Sequence, residues 1–514
     1  MKKTRKFGLL MPISSLPSAE GIGTLGEEAY RFVDFLCAAG GSVWQVLPLN
    51  PTNYGDSPYQ SCSSDALNYY FIDLFALVKD GLLKKNEIKL SELSDIPRRV
   101  NYGKQFTNKI ALLRKAYSRF DGGEEFKRFV EKGDYADFAV FMALKAKFEH
   151  ASWTEWEEPY RTYDKAVADK FASENKSEVL FWQFTQFIFL KQWNALKGYA
   201  NARGVSIMGD IPLYVAYDSV EVWNYGSKLF RMDENRNPAG VAGCPPDAFT
   251  EDGQLWGNPV YDWEKMAADG YGWWNRRIAG CLKLYDILRI DHFRGFDRYY
   301  EVPPEEQTAR HGSWRDGPKE KLFEDKLDFK IVAEDLGVID DGVRRLMRNV
   351  GYPGMKVLVF AFDGRYDNEH KPSNYTNNFV CYTGTHDNMP IRQYIDDLNE
   401  YERGVYTADL LRECAAFGIT ADLTNSETMC RTVIRLAFAS VADTVIIPYW
   451  DVLAMGGEAR MNLPSTVSDK NWSWRFVKED FSEDSLNFLS DEAQNTDRVN
   501  KNQNRNDTTV TVKS

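Results

Sequence analysis

Two short stretches decide the reading of this chain: 287–293 (ILRIDHF) and 330–336 (KIVAEDL). Each is largely apolar, with Arg289 inside the first and Lys330 opening the second, and each runs into acidic residues. A run with no polar alternation marks a strand buried on both faces, as in a parallel sheet. Six further runs have the same character: 7–13 (FGLLMPI), 42–49 (SVWQVLPL), 205–215 (VSIMGDIPLYV), 355–362 (MKVLVFAF), 379–387 (FVCYTGTHD) and 444–453 (TVIIPYWDVL). Helical patterns separate most of them, at 25–39, 186–203, 265–285, 340–349 and 428–441. Eight strand–helix repeats predict an α/β fold, a (β/α)8 barrel. Periodicity alone also allows a doubly wound sheet.

The repeats are unevenly spaced. The stretch 50–204 carries amphipathic helical patterns at 104–120, 135–149 and 177–203, so a mainly helical insertion is expected there. A Gly/Pro/Asn-rich segment at about 224–262, within a second insertion over 216–286, reads as a long functional loop. The catalytic unit is expected to span 1–490. The polar end, 491–514, is expected to fray.

The 514 residues hold 63 Lys plus Arg and 75 Asp plus Glu, a net charge of −12. This acidic balance speaks against a nucleic-acid partner, whose phosphates need basic patches. No uncharged apolar stretch is long enough to span a membrane, and the N-terminal run is interrupted by Pro12. The seven cysteines are odd in number, widely spaced and without a CxxC pair, which fits buried thiols in the cytoplasm. The composition includes 14 Trp, 27 Tyr and 31 Phe. These rings either fill a core or line an open sugar-binding groove, and composition does not separate the two.

In a barrel of this kind the active site lies at the C-terminal strand ends. Asp291, Glu334 and Asp387 all fall there, with Asp210 inside the third run. Burying four carboxylates without partners is costly, so they line a polar cavity or pair with basic groups. Arg289 lies two residues before Asp291 and projects from the same face. A stabilising ion network is the plain alternative for any one of them. Three acids at strand ends beside Arg289 and His386 point instead to chemistry. Two carboxyls about 5–5.5 Å apart perform retaining glycosyl transfer, one as nucleophile and one as acid then base. There is no HExxH, EF-hand, GxxxxGK[ST] or well-placed GxGxxG motif, which disfavours metal, phosphoryl and dinucleotide chemistry.

Longer motifs carry a resemblance. SSLPSAEGIGTLG (14–26), WQVLPLNPTNYGDSPYQS (44–61), GDIPLYVAYDSVEVW (209–223), VAGCPPDAF (241–249), GQLWGNPVY (253–261), RIDHFRG (289–295), AEDLG (333–337), GYPGMKVLVFAF (351–362), YTGTHDN (382–388), EARMNLPS (458–465) and NWSWR (471–475) are similar to those of the 4-α-glucanotransferases (amylomaltases, or disproportionating enzymes) of glycoside hydrolase family 77. The resemblance runs from about Phe7 to Arg475. It implies a barrel with helical insertions and no separate C-terminal β-domain. It also implies transfer of α-1,4-glucan segments between maltooligosaccharide or starch chains, with retention through a covalent glycosyl-enzyme and without metal or organic cofactor.

By the same resemblance Asp291 is the nucleophile, Glu334 the acid/base and Asp387 the transition-state stabiliser. Arg289 and His386 flank the bound glucose ring. Tyr59, Asp210, Asp247, Phe249, Trp256, Asn258 and Asn462 line the groove. Aromatic residues in such loops can stack on sugar faces while Asp and Asn satisfy hydroxyls. Trp223, Trp472 and Trp474 read as packing residues. The chain departs from the family pattern at Glu20, Ala248, Ser373, Met389–Pro390 and Trp450. A mainly hydrolytic α-glucanase and a non-catalytic glucan-binding protein are the alternative functions. A monomer is the default state.

Overall fold

The structure, a computed structural model, describes residues 5–246, 250–326, 328–337 and 339–501. Its centre is a ring of eight strands: β1 (Lys6–Leu10), β2 (Val43–Gln45), β3 (Ser206–Ile211), β4 (Ile287–Ile290), β5 (Ile331–Ala333), β6 (Gly354–Val357), β7 (Phe379–Tyr382) and β8 (Thr444–Pro448). Neighbours pair in parallel in the order β6-β7-β8-β1-β2-β3-β4-β5, which is chain order carried around a circle. The seam between β5 and β6 closes through Ala333 N–H to Pro353 O at 2.9 Å and Met355 N–H to Asp335 Oδ1 at 2.6 Å. Gly354 permits this approach, because a Cβ there would lie 2.4 Å from Asp335 Oδ2. Closure rules out the doubly wound alternative.

The strands are shorter than the apolar runs that announced them. β4 stops at Ile290 and β5 at Ala333, so Asp291 and Glu334 are the first residues beyond. The chain there must leave the ladder to present side chains at the barrel mouth. Side chains fill the interior in layers. One layer is polar: Tyr382 Oη donates to Gln45 Oε1 at 2.8 Å, and Asp210 and Arg289 lie beside each other in register.

Helices cover the outside, among them Glu27–Ala38, Lys176–Ala202, Asp341–Val350 and Ser426–Ala439. The pattern read as one helix at 265–285 is two, Trp263–Ala268 and Gly272–Leu284. Gly270 and Tyr271 both take left-handed backbone and break it. The helical insertion between β2 and β3 includes Ile110–Tyr117, Ala136–Lys147 and the long Lys176–Ala202. It absorbs much of the aromatic content: Trp153, Trp156, Trp182 and Trp193 are all buried.

The segment read as a long loop at 224–262 contains two strands, Val241–Cys244 and Gln254–Pro259. With Arg298–Val302 and Ser313–Asp316 they form a four-stranded antiparallel sheet. Short, glycine-rich strands half open to solvent carry too weak an alternation to be read from sequence.

The expected fraying from 491 onward is corrected in its first part. Helix Glu483–Asn495 continues through it, and Arg498 is fully buried. Its guanidinium donates to Phe438 O, Lys6 O, Ser440 O and Ala442 O at 2.8–3.0 Å. It thereby ties this segment to β1 and to the approach to β8. A polar composition concealed an anchor whose role is to satisfy buried carbonyls. Among the described residues no helix is long and apolar enough to cross a membrane. We expect Arg498→Ala to lower unfolding free energy by about 2–4 kcal/mol, since buried acceptors lose their donor; equilibrium denaturation at neutral pH measures this.

Candidate active site

The site begins inside the barrel. The β3–β4 register sets Asp210 opposite Arg289, and both side chains are almost completely buried. Arg289 Nη1 lies 2.5 Å from Asp210 Oδ2, and its Nη2 lies 2.9 Å from Asp291 Oδ1. One guanidinium therefore joins a carboxylate in the barrel core to another at the mouth. Tyr59 Oη also donates to Asp210 Oδ2, at 2.8 Å, and carries the 50–61 loop onto this pair.

Glu334 sits across from Asp291, seated by backbone. His292, directly after Asp291, takes left-handed backbone (φ 50°). Its N–H donates to Glu334 Oε2 at 2.7 Å, and Leu336 N–H donates to Oε1 at 2.7 Å. The turn after β4 thus brings the two carboxyl groups together. Burial pushes the Glu334 carboxyl up to about 8; the neighbouring Asp291 charge adds to this, while Arg289 and the two amides oppose it. Burial also raises Asp291, to about 6, with Arg289 holding it down against Asp210 and Asp387. Near neutral pH the first is protonated and the second ionised, the division of roles that acid and nucleophile require.

Asp387 has the opposite electrostatics. Burial alone would raise it, but His386, Asn462 and Arg289 outweigh burial and hold it at about 2. Asn462 Nδ2 donates to Asp387 Oδ1 at 2.7 Å, and His386 Nε2 lies 3.2 Å from Oδ2. The His386 ring stacks on Tyr59, with centroids 5.0 Å apart and planes 15° apart.

Trp472 is buried, as its reading as a packing residue expects, and it packs at a tilt against this pair. Its ring lies 5.6 Å from Tyr59 and 5.7 Å from His386. Its backbone is left-handed (φ 61°), pinned by Trp472 N–H to Met461 O at 2.7 Å and by Tyr102 Oη to Trp472 O at 2.9 Å. Trp223 and Trp474 are buried packing residues as expected.

The antiparallel sheet supplies the next wall. Trp256 sets its ring edge-on to His292, with centroids 4.8 Å apart. Asn258 Nδ2 donates to Val215 O at 2.8 Å and its Oδ1 accepts from Gln60 Nε2 at 3.1 Å. Gln60, unmarked in the sequence reading, also donates to Trp256 O at 3.4 Å and so joins the Tyr59 loop to this sheet. The structure thus brings together Asp291, Glu334, Asp387, Arg289, His386, Tyr59, Asp210, Trp256, Asn258 and Asn462. Asp247 and Phe249, with the departure at Ala248, lie outside the described residues.

The other departures are locally satisfied. Ser373 Oγ and N–H both donate to Glu413. Trp450 is buried, and Pro390 precedes the helix Ile391–Asp397. Glu20 pairs with the buried Lys109 at 2.9 Å. Among the described residues no group of three His, Cys, Asp or Glu side chains is placed to hold a metal ion.

Comparison with known proteins agrees with this geometry. A family model described as 4-alpha-glucanotransferase matches residues 11–479. The 4-alpha-glucanotransferase of Clostridium butyricum is 44% identical over 487 residues, covering 93% of this chain and 98% of that protein. That of Thermus thermophilus is 41% identical over 514 residues, covering 97% and 100%. Among solved structures, the amylomaltase from Streptococcus agalactiae in complex with acarbose superposes with a TM-score of 0.90 at 38% identity, covering 96% of this chain and all of that one.

A reaction that uses Asp291 ionised and Glu334 protonated has a bell-shaped pH dependence. We expect kcat/KM to rise as pH passes about 6 and to fall beyond about 8, as the pair loses its first and second protons. Initial rates from pH 4 to 10 measure both limbs.

Proposed function

The chain belongs to the 4-alpha-glucanotransferase family, glycoside hydrolase family 77, and from that premise we propose how its residues move α-1,4-glucan segments between chains. Asp291 attacks the anomeric carbon of the donor while Glu334 gives its proton to the departing glycosidic oxygen. The reducing-side fragment leaves, and the remaining segment is held as a glycosyl ester on Asp291. Glu334, now ionised, takes the proton from the 4-OH of an incoming glucan. That oxygen displaces Asp291, and the two inversions restore the α configuration.

Arg289 keeps the nucleophile charged and aimed. Asp387, held ionised by Asn462 and His386, binds ring hydroxyls and favours the positive charge that develops at the transition state. Tyr59 and Trp256 offer ring faces to glucose units. Asp210 works through Arg289 and Tyr59. Asp247 and Phe249 complete the groove in this reading. The substrates are maltooligosaccharides and longer α-1,4-glucans, handled by a monomer in the cytoplasm. Burial of Cys62, Cys281, Cys381, Cys414 and Cys430 is compatible with a reducing compartment.

The observation that carries the proposal is the placing of two carboxyls, Asp291 and Glu334, at successive strand ends by one turn, the first bonded to the Arg289 guanidinium and the second seated on two backbone amides. The purified protein with maltotriose tests it. Transfer yields shorter and longer oligosaccharides with a constant number of reducing ends. Rising reducing ends without longer products would mean hydrolysis, and no products at all would mean binding only.

The role assignment has its own test. Asp291→Asn should leave glucan binding intact and reduce kcat by several orders of magnitude, since the covalent step is lost. Glu334→Gln should keep the first-step release of fluoride from an α-glucosyl fluoride, whose leaving group needs no proton, and lose cleavage of maltotriose. Equal losses on both substrates would remove Glu334 from the acid role.

A further inference from the structure

One buried acid outside the groove faces the turn that carries Asp387. Asp451 lies in the short helix Tyr449–Val452, directly after β8, and is 1% exposed. Its two side-chain oxygens reach two different segments. Oδ2 accepts from Thr383 Oγ1 at 2.6 Å, and Oδ1 accepts from Ile391 N–H at 3.0 Å. Thr383 is the first residue beyond β7, and Ile391 opens the helix Ile391–Asp397. Between them runs the turn 384–390, with His386 and Asp387 at its middle. One carboxyl therefore grips both ends of that turn.

Inside, the turn is bonded to itself. Asn388 Oδ1 accepts from Thr385 N–H and Thr385 Oγ1, each at 2.9 Å, and Asn388 N–H donates to Thr385 O at 3.3 Å. These bonds set its shape but not its place on the barrel. On the groove side Asn462 N–H donates to His386 O at 3.1 Å. On the barrel side Val359 N–H to Thr383 O, at 3.0 Å, holds one end, and Arg392 Nη1 to Ala454 O, at 3.2 Å, holds the other. Asp451 joins the two ends to a single point.

A carboxyl is a costly fastening for a core. Both donors are neutral, and among the described residues no Lys, Arg or His forms an ion pair with Asp451. Burial raises its carboxyl to about 6, against the pull of Thr383 and the Ile391 amide. An apolar side chain of similar volume would pack here without desolvating an acid. It could not supply two acceptors set apart, one for a hydroxyl and one for an amide on a different segment. What the acid contributes is thus position more than stability.

We propose that Asp451 is a positioning residue for Asp387: by holding Thr383 and Ile391 together, it sets the turn so that the Asp387 carboxylate meets the sugar ring at the transition state. The assignment rests on the role given to Asp387 above. Asp451 is enclosed and touches no substrate. It acts through the turn, and a small displacement of Asp387 is felt most where charge develops on the reacting ring.

Three variants test this with maltotriose, with rates expressed per folded molecule as counted by circular dichroism. Asp451→Ala removes both ties, and its kcat should fall about 10- to 100-fold with KM within about threefold of wild type. Thr383→Val keeps the side-chain shape and removes one tie, so its kcat should fall less, about three- to tenfold. Asp451→Asn should restore most of kcat: its amide oxygen accepts from Ile391 N–H and its amide nitrogen donates to the Thr383 hydroxyl. If Asp451→Ala does not fold, the other two variants decide by themselves. An unchanged kcat in folded Asp451→Ala or Thr383→Val would overturn the role. So would a higher KM at unchanged kcat, or a loss of activity that only follows the unfolded fraction. Wild-type protein that transfers nothing would instead overturn the proposed function, so the two failures are distinguishable.

Discussion

The buried guanidinium of Arg289 is the point on which the rest of the molecule depends. An arginine enclosed in a barrel core loses hydration worth several kcal/mol and must be compensated where it stands. Asp210 supplies that compensation from the neighbouring strand, in register and equally buried. The Arg289–Asp210 pair is weak evidence for stability in itself, yet removing either partner would leave the other charge stranded, at about 3–5 kcal/mol. It also has a direction. The second Arg289 nitrogen emerges at the barrel mouth on Asp291, so a cost met in the core fixes a carboxylate at the surface of the site.

From that point the electrostatics spread by position. Glu334 is buried beside Asp291 and seated by two backbone amides, but those amides do not offset burial and the adjacent charge, and the proton is retained. Asp387 stands more open, and His386 and Asn462 bind it directly, so its carboxyl is held low. Three carboxyls at three strand ends thus hold three different affinities for a proton. The difference lies in the partners that each loop delivers and in exposure, which is least at Glu334 and greatest at Asp387.

Much of this was legible in the chain, for identifiable reasons. The strands announce themselves because a parallel barrel buries both faces of each one, leaving apolar runs at IVA and at ILRI, the latter broken only by Arg289. The acids stood out because three of them gather at the ends of such runs beside Arg289 and His386, which an ion network for any one of them does not explain. Arg289 could be placed beside Asp291 because alternate residues of a strand share a face. Contacts between distant segments were illegible. Trp472 reads as core and is buried, but nothing near it in sequence reveals that its ring meets Tyr59 and His386. Gln60 was passed over for the same reason. The antiparallel sheet was hidden by the shortness of its strands, and Arg498 was lost in a polar stretch because its partners are carbonyls, which every residue has.

The departures from the family pattern follow a related logic. Glu20 is fully enclosed, and its carboxyl accepts from the buried Lys109 Nζ and from Leu74 N–H. Lys109 ends a π-helical turn, Gln105–Lys109, whose Gln105 amide also donates to Glu20 O. An acid was accommodated there because the insertion supplies a cation and donors to receive it. Ser373 is likewise absorbed by Glu413, and Trp450 by the core. Each of these three is answered by neighbours in its own layer, and none is bonded to the Asp210–Arg289–Asp291 line. Chemistry is therefore set by rigid strand ends with short connections to the core, while the insertions and loops that form the groove walls remain free to vary. Any divergence of this enzyme from its relatives should lie in which chains it prefers, because the groups that break and remake the bond are fixed by the barrel itself.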